Sequence, residues 1–382
     1  MRPTALKLTA GILLFCGLSS AVKAQVQPIN VVTTAVPFLR ISPDARSGGM
    51  GDIGIATSPD AYSGLWNGGK VVFNQLNGGV GATYTPWLKD LVNDVYLASL
   101  SGFYKFQDNQ AVYGSLRYFS LGNITFTDNL GNDISKGRPR EFGIDVGYSR
   151  KLNTKNGVAI ALKYINSDLA NGFTQGSTTY KTGNSVAADL GWFHQGNSWN
   201  WGVTLTNLGA KIAYTNNADA KDFIPANLGF GANYHKNYND KNAISFGVEI
   251  NKLLVPTPPA EGDAAGLAEY RKTSVISGWF KSFGDAPDGF SEELKEFQVS
   301  LGAEYTYNKQ FSLRAGYFYE NKNKGNRRYF TAGLGIKYNV FGFNFAYLLP
   351  TGNGVSRNPL SNTLRFSVLF DLGDGSRVKD KK

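Results

Sequence analysis

Few residues in this chain could do acid-base or nucleophilic chemistry. His194 and His235 are its only imidazoles. A serine hydrolase needs such a base within hydrogen-bond reach of a hydroxyl, with a third group orienting it. Both histidines fall beside tight turns between extended segments, and no acid, base and nucleophile can be named around either. The expectation is two solvated turn histidines and no enzyme. Gly49-Met50-Gly51-Asp52-Ile53-Gly54 matches the spacing of a dinucleotide fingerprint. That fingerprint works only between a strand and a helix of a βαβ unit, and none surrounds it, so these read as turn glycines. Asp128 and Asp133 are spaced wrongly for a calcium loop and read as solvent-facing charge. Cys16 is the single cysteine and sits in an apolar leader, leaving no thiol, disulfide or cysteine metal site in the mature chain. No catalytic, cofactor or metal residue is expected.

The elements that would position such groups are strands. In residues 297–320, Phe297, Val299, Leu301, Ala303, Tyr305 and Tyr307 fall on one side and Gln298, Ser300, Gly302, Glu304 and Thr306 on the other. This is a period of two. Asn308-Lys309 turns the chain, and Phe311, Leu313, Ala315, Tyr317 and Tyr319 resume the apolar side, with Phe318 alone out of step. Aliphatic residues mid-strand and aromatics at both ends suit a strand crossing a bilayer. A soluble sandwich also alternates, so one hairpin does not separate the two.

The whole chain does. Strands are expected near 80–88, 92–105, 110–122, 140–151, 157–168, 185–195, 199–210, 225–236, 241–254, 295–307, 310–321, 327–339, 341–350 and 361–371, about fourteen. Connections after even strands are short. Those after odd strands are mostly long (123–139, 169–184, 211–224, 255–294 and 351–360), with 89–91 the exception. A sandwich has no reason to sort its loops by parity. A transmembrane antiparallel β-barrel does, with tight periplasmic turns, longer extracellular loops and both termini in the periplasm. No mature segment has the roughly 18 continuous apolar residues of a membrane helix, so a bilayer would be crossed by a closed barrel. The lumen strips carry Glu304, Arg314 and Lys337, which can pair across strands.

Residues 1–24 read as a signal peptide: Arg2 and Lys7, an apolar run to Leu18, and Val22-Lys23-Ala24 before a cut at Gln25. Removing Arg2, Lys7 and Lys23 lowers the formal net charge of +10 to +7. That modest, dispersed excess is no nucleic-acid footprint. Residues 25–78, broken by Pro37, Pro43 and Pro59, read as an N-terminal plug in or beneath the barrel. Its helix is expected to be capped by Ser58, with Pro59 first, and to end at Gly68-Gly69. The barrel would span 79–371, followed by a basic periplasmic tail, 372–382. In the long loop 255–294, Ser274 can cap a helix on which Val275, Ile276, Trp279, Phe280 and Phe283 share one face, with Phe290 close behind. These six are the candidate partner-binding residues, unless the aromatics fold back over the barrel mouth.

Ala35 to Ala61 (AVPFLRISPDARSGGMGDIGIATSPDA), Asp285 to Glu296 (DAPDGFSEELKE), Arg314 to Thr331 (RAGYFYENKNKGNRRYFT) and Asn358 to Phe370 (NPLSNTLRFSVLF) closely resemble the PorV (LptO) family of the Bacteroidetes type IX secretion system. Asn67-Gly68-Gly69-Lys70 departs from the Asn-Pro-Ala that relatives usually show. The resemblance implies an integral outer-membrane, FadL-like barrel of fourteen strands with a small plug. It implies partners too: the SprA (Sov) translocon at its lateral opening, cargo proteins carrying a C-terminal secretion domain, and a PorU-like surface attachment complex. Outer-membrane lipid would surround the barrel. It brings no catalytic residue. The alternative is a FadL-like channel for hydrophobic small molecules, gated by the plug.

Overall fold

The computed structural model describes residues 31–87, 94–127, 130–170, 172–217, 220–260, 262–351 and 362–373. The expected leader, nearly all of the basic tail, and Asp128 lie outside the described residues.

Fourteen antiparallel strands close into one barrel in sequence order. They are β1 (Gly78–Pro86), β2 (Val95–Gln107), β3 (Gln110–Leu121), β4 (Arg140–Lys151), β5 (Asn156–Asp168), β6 (Gly183–Gln195), β7 (Trp199–Gly209), β8 (Asn227–Asn237), β9 (Asn242–Leu253), β10 (Gln298–Tyr307), β11 (Phe311–Tyr319), β12 (Arg328–Tyr338), β13 (Phe341–Pro350) and β14 (Leu364–Leu372). Closure is made by β1 against β14, from Gly78 opposite Leu372 to Tyr84 opposite Phe366. A closed sheet leaves no unpaired edge, which is what lets strands cross hydrocarbon.

The side chains sort as the period of two requires. Leu100, Val146, Leu162, Val186, Leu313 and Leu334 are exposed on the outer wall, while Ser99, Asp145, Lys163, Arg314 and Arg365 are buried inside. Aromatics gather toward both rims, with ring pairs such as Tyr96–Tyr118 at 6.1 Å and Trp199–Tyr234 at 5.2 Å. Phe318, the residue out of step, points inward and stacks on Tyr329 at 4.9 Å. Asn308 and Lys309 both have positive φ, the conformation of a tight hairpin turn whose twist matches its strands.

Connections alternate between a short-turn end and a long-loop end, as expected. The β1–β2 connection, the expected exception, is longer than the sequence suggested. Pro86 ends β1 and β2 starts only at Val95, with Trp87 donating its amide to Val95 O at 2.9 Å and packing its ring on Phe119. Two-stranded ribbons extend the loops, pairing Ile124–Thr127 with Asp133–Gly137 and Ile212–Ala213 with Lys221–Asp222.

Residues 32–73 enter the barrel and are largely buried there. The segment carries 3-10 turns at Pro37–Arg40 and Gly68–Phe73 and two single-turn helices, α1 (Ala45–Gly48) and α2 (Ser63–Trp66). The expected Ser58-Pro59 helix start is not what forms. Asp60 and Ser63 make the turn instead: Asp60 N donates to Ser63 Oγ at 2.8 Å and Tyr62 N to Asp60 Oδ1 at 2.9 Å. Ser58 Oγ accepts from Arg46. One capping bond, worth about 1 kcal/mol, gives way to a partly buried ion-pair network.

Candidate docking site on the long loop and the lumen beneath it

Glycines set how closely the N-terminal segment meets the wall. Gly51 has φ 68, and a Cβ there would lie 2.6 Å from Leu301 O and 2.7 Å from Tyr317 N. Across from it, a Cβ on Gly316 would lie 2.1 Å from Gly51 N. The Gly-x-Gly spacing therefore serves backbone contact with the wall, and no βαβ unit surrounds it. Gly68 has the same role, with its missing Cβ replaced by the Tyr113 hydroxyl. Asn67 is buried and fixes the turn, donating to Trp192 O at 2.9 Å and accepting from Gly69 N at 2.9 Å.

Charged side chains complete the attachment. Arg46 spans Asp60 and Glu304, both at 2.9 Å, and Arg314 Nε meets Glu304 at 2.6 Å. The predicted Glu304–Arg314 pair thus forms around a third member from the segment. Lys337, the other predicted lumen charge, pairs instead with Asp371 at the short-turn rim, at 2.6 Å. Asp52 accepts from Arg365 at 3.1 Å and from the Tyr329 hydroxyl at 2.6 Å. Arg40 and Arg327 both hold Glu320, at 3.2 and 2.8 Å. Burial depresses the Arg40 guanidinium, with Arg327 beside it adding to the effect, to about 10. Glu320 is buried, yet Arg327 and Arg40 keep its carboxyl below the usual glutamate range.

A cavity of about 130 Å³ remains among Arg40, Asp52, Arg117, Lys163, Asp189 and Glu249. Its walls are polar and charged as much as apolar. Neither histidine reaches it: His194 Nδ1 lies 3.0 Å from Asn156 Oδ1 and His235 pairs with Ser245 across β8 and β9. Among the described residues, no cluster of three metal-ligating side chains forms.

The 255–294 loop is braced rather than loose. Its helices are α3 (Ala264–Lys272), α4 (Val275–Lys281) and α5 (Phe290–Glu293). Ser274 caps α4 as predicted, accepting from Ser277 N. Gly278 is pressed on Phe223 and Pro256. Lys211 donates to Arg271 O at 3.0 Å and Thr273 O at 2.7 Å at the end of α3, with its Nζ 3.9 Å from the Phe223 ring centroid. Below lies a buried five-residue ion cluster. Lys252 contacts Glu293 at 3.2 Å and Glu296 at 2.6 Å, and Lys324 contacts Glu292 at 2.6 Å and Glu296 at 3.0 Å. The glutamates also receive the Ala286 and Asp288 amides. Burial would raise Glu292, but Lys324 holds it below the usual range.

The six candidate residues do not share one fate. Val275 and Trp279 are half-buried against the loop. Ile276, Phe280, Phe283 and Phe290 are 62, 75, 49 and 77% exposed. Leu294, which the sequence reading missed, adds 55%; its position after the Glu292-Glu293 pair gave no helical face to place it on. Four of the six candidates therefore present apolar surface to solvent, while Val275 and Trp279 present less. The ion cluster was also missed, although Glu292, Glu293, Glu296 and Lys324 all lie in the quoted family stretches. Those stretches meet in space: Asp52, Tyr329 and Arg365 come from three of them.

A family model described as "Type IX secretion system protein PorV" matches residues 23–260. The chain belongs to this family. PorV membership and the fourteen-strand barrel agree on an outer-membrane component of type IX secretion. Among solved structures, the Pseudomonas putida toluene transporter TodX is 11% identical, with a TM-score of 0.52 over 87% of this chain and 99% of its own. The Ralstonia pickettii toluene transporter TbuX is 13% identical, with a TM-score of 0.50 over 86% and 96%. At such identities the likeness is one of fold, a FadL-like barrel. No curated protein sequence matches this chain.

Proposed function

We propose that this PorV-family barrel is a non-enzymatic docking component whose long loop binds other secretion proteins through Ile276, Phe280, Phe283 and Phe290. The observation that carries the reading is the contrast within one loop: its base is held by buried ion pairs while its large apolar side chains stand in solvent. A patch that is exposed yet preorganised loses little conformational entropy on binding, and aromatic anchors dominate such interfaces. The proposed partners are those that the resemblance implies: the SprA translocon, cargo with a C-terminal secretion domain and the PorU-like attachment complex. The loop would face outward, with the short turns and both termini in the periplasm.

Pull-down of translocon and cargo on the detergent-purified barrel tests this. Ile276→Ser, Phe280→Ser and Phe290→Ser together should reduce capture at least about tenfold, since each anchor contributes on the order of 1–2 kcal/mol, while heat-modifiable migration stays normal. Unchanged capture by a folded triple variant removes these residues from the interface. A channel for hydrophobic small molecules fits the lumen less well, because an apolar guest would have to desolvate the charged side chains lining it.

A further inference from the structure

The short-turn rim carries a second unassigned surface. On the outer wall, Arg150 follows Tyr148 toward the end of β4 and Lys236 follows Tyr234 on β8. Lys155 and Lys241 lie in the adjoining turns, and Lys309 in the β10–β11 turn. All five are exposed and make no ion pair among the described residues; Lys236 lies 5.1 Å over the Tyr238 ring. Only Asp108 and Asp240 bring negative charge to the other exposed turn positions. Other basic groups at this end are already used: Lys105 donates to Asn74 O, Lys151 lies over the Phe73 ring and Lys337 is paired with Asp371.

Next to these cations is an aromatic column. Trp199 stacks on Trp201 at 5.8 Å and tilts against Tyr234 at 5.2 Å, and both tryptophans are exposed on the outer wall. The long-loop rim differs. Its outward Arg140 sits opposite Asp168 in register, and Arg328 lies over the Tyr319 ring and donates to Glu320 O. Basic side chains beside exposed aromatics of the outer wall therefore gather at the short-turn rim, at the depth where indole and phenol rings meet headgroups, whereas the exposed Lys136 and Lys181 of the other end stand in the long connections.

We propose that the outward basic residues of this rim, from β4 to the β10–β11 turn, bind the headgroups of anionic phospholipids in the leaflet they face. Each cation near a negatively charged bilayer surface adds attraction that salt screens. Arg and Lys stems can lie along the outer wall while their heads reach the phosphates. The inference rests on the barrel spanning a bilayer and does not depend on the secretion role.

The test is fluorescence of the full chain reconstituted in brominated phosphatidylcholine, which quenches wall tryptophans, with unbrominated phosphatidylglycerol or phosphatidylcholine added as competitor. Phosphatidylglycerol should displace the quencher at least about threefold better at about 0.05 M salt, and the ratio should fall toward one at about 0.5 M. The variant Arg150→Gln, Lys155→Gln, Lys236→Gln, Lys241→Gln should lose the preference and still migrate as a heat-modifiable barrel. Lys136→Gln with Lys181→Gln, on the long-loop side, should retain it. No preference in the unaltered chain, or a preference that survives the fourfold variant, overturns the proposal. Binding of polyglutamate without lipid preference would assign the rim to an acidic protein and overturn it as well.

Discussion

Arg365 Nη1, on the strand that closes the barrel, lies 3.1 Å from Asp52 Oδ1 of the N-terminal segment. The pair joins residues 313 positions apart, and the Tyr329 hydroxyl completes it. Removing one member of a buried pair strands the other charge, at about 3–5 kcal/mol. Arg365→Leu should therefore lower the urea midpoint of the purified barrel, and Arg365→Leu with Asp52→Asn should recover part of the loss. Equal midpoints for the single variant and the unaltered chain would mean that the pair adds nothing.

Gly51→Ala should cost more than a conformational preference alone. Its φ of 68 disfavours a side chain, and the added Cβ would fall within 2.8 Å of three wall backbone atoms, which cannot rotate away. A loss of several kcal/mol is expected, on the order of 3 or more, read as reduced heat resistance or failed assembly. Gly284→Ala, where nothing lies within 4 Å, should be near neutral in the same assay. A neutral Gly51→Ala would contradict the close approach.

The strand pattern was legible because lipid and lumen impose opposite demands on successive residues. Leu301, Ala303 and Tyr305 could only face out beside Glu304 and Ser300, and loop length by parity added an independent count. Inside, legibility stopped. Glu304 and Arg314 are near in sequence and were paired correctly, whereas Arg46, 258 positions from Glu304, left no local trace. Ser58-Pro59 looked like a helix start because capping is a local signal; the ion network around Arg46 outweighed it. In the loop, helical spacing placed Val275 and Trp279 with Phe280, but Gly278 sits on Phe223 and turns those two inward. Periodicity finds a face without showing which part of it a neighbour covers.

The ion cluster under the loop makes loop order dependent on Lys252 and Lys324. Lys324→Met leaves Glu292 and Glu296 buried without that cation and should loosen residues 255–297 while leaving the wall intact. Limited proteolysis should then cut within the loop at least about tenfold faster, the factor for 1.4 kcal/mol of local opening. Lowering the pH should do the same to the unaltered chain. Glu292 has a depressed folded-state value, so its stabilisation is complete above the unfolded value, about 4.5, and is lost as pH falls through the folded value. Asp285, raised by burial, opposes this above the ordinary aspartate value, so the loss should show only in the more acidic part of the range. Protection that is flat down to strong acid would mean that the cluster does not hold the loop.

Lys70 gives a dependence of the same sign on the alkaline side. It is 1% exposed and donates to Gly54 O at 2.6 Å and Thr57 Oγ1 at 3.0 Å, with no carboxylate at contact distance. Burial pushes its ammonium down to about 8, from 10.5 in the unfolded chain. Between those values the unfolded chain binds more protons than the folded one, so stability rises with pH, by on the order of 3 kcal/mol over the window. Arg40, also depressed, contributes in the same direction near pH 10, so the comparison must be with Lys70→Met, which removes only the lysine's share. Urea unfolding of both proteins between about pH 7.5 and 10.5 should show the unaltered chain gaining on the variant as the buried ammonium gives up its proton. A difference that stays constant across that range would mean that Lys70 keeps its ordinary value and that its two oxygen acceptors suffice to hold the charge.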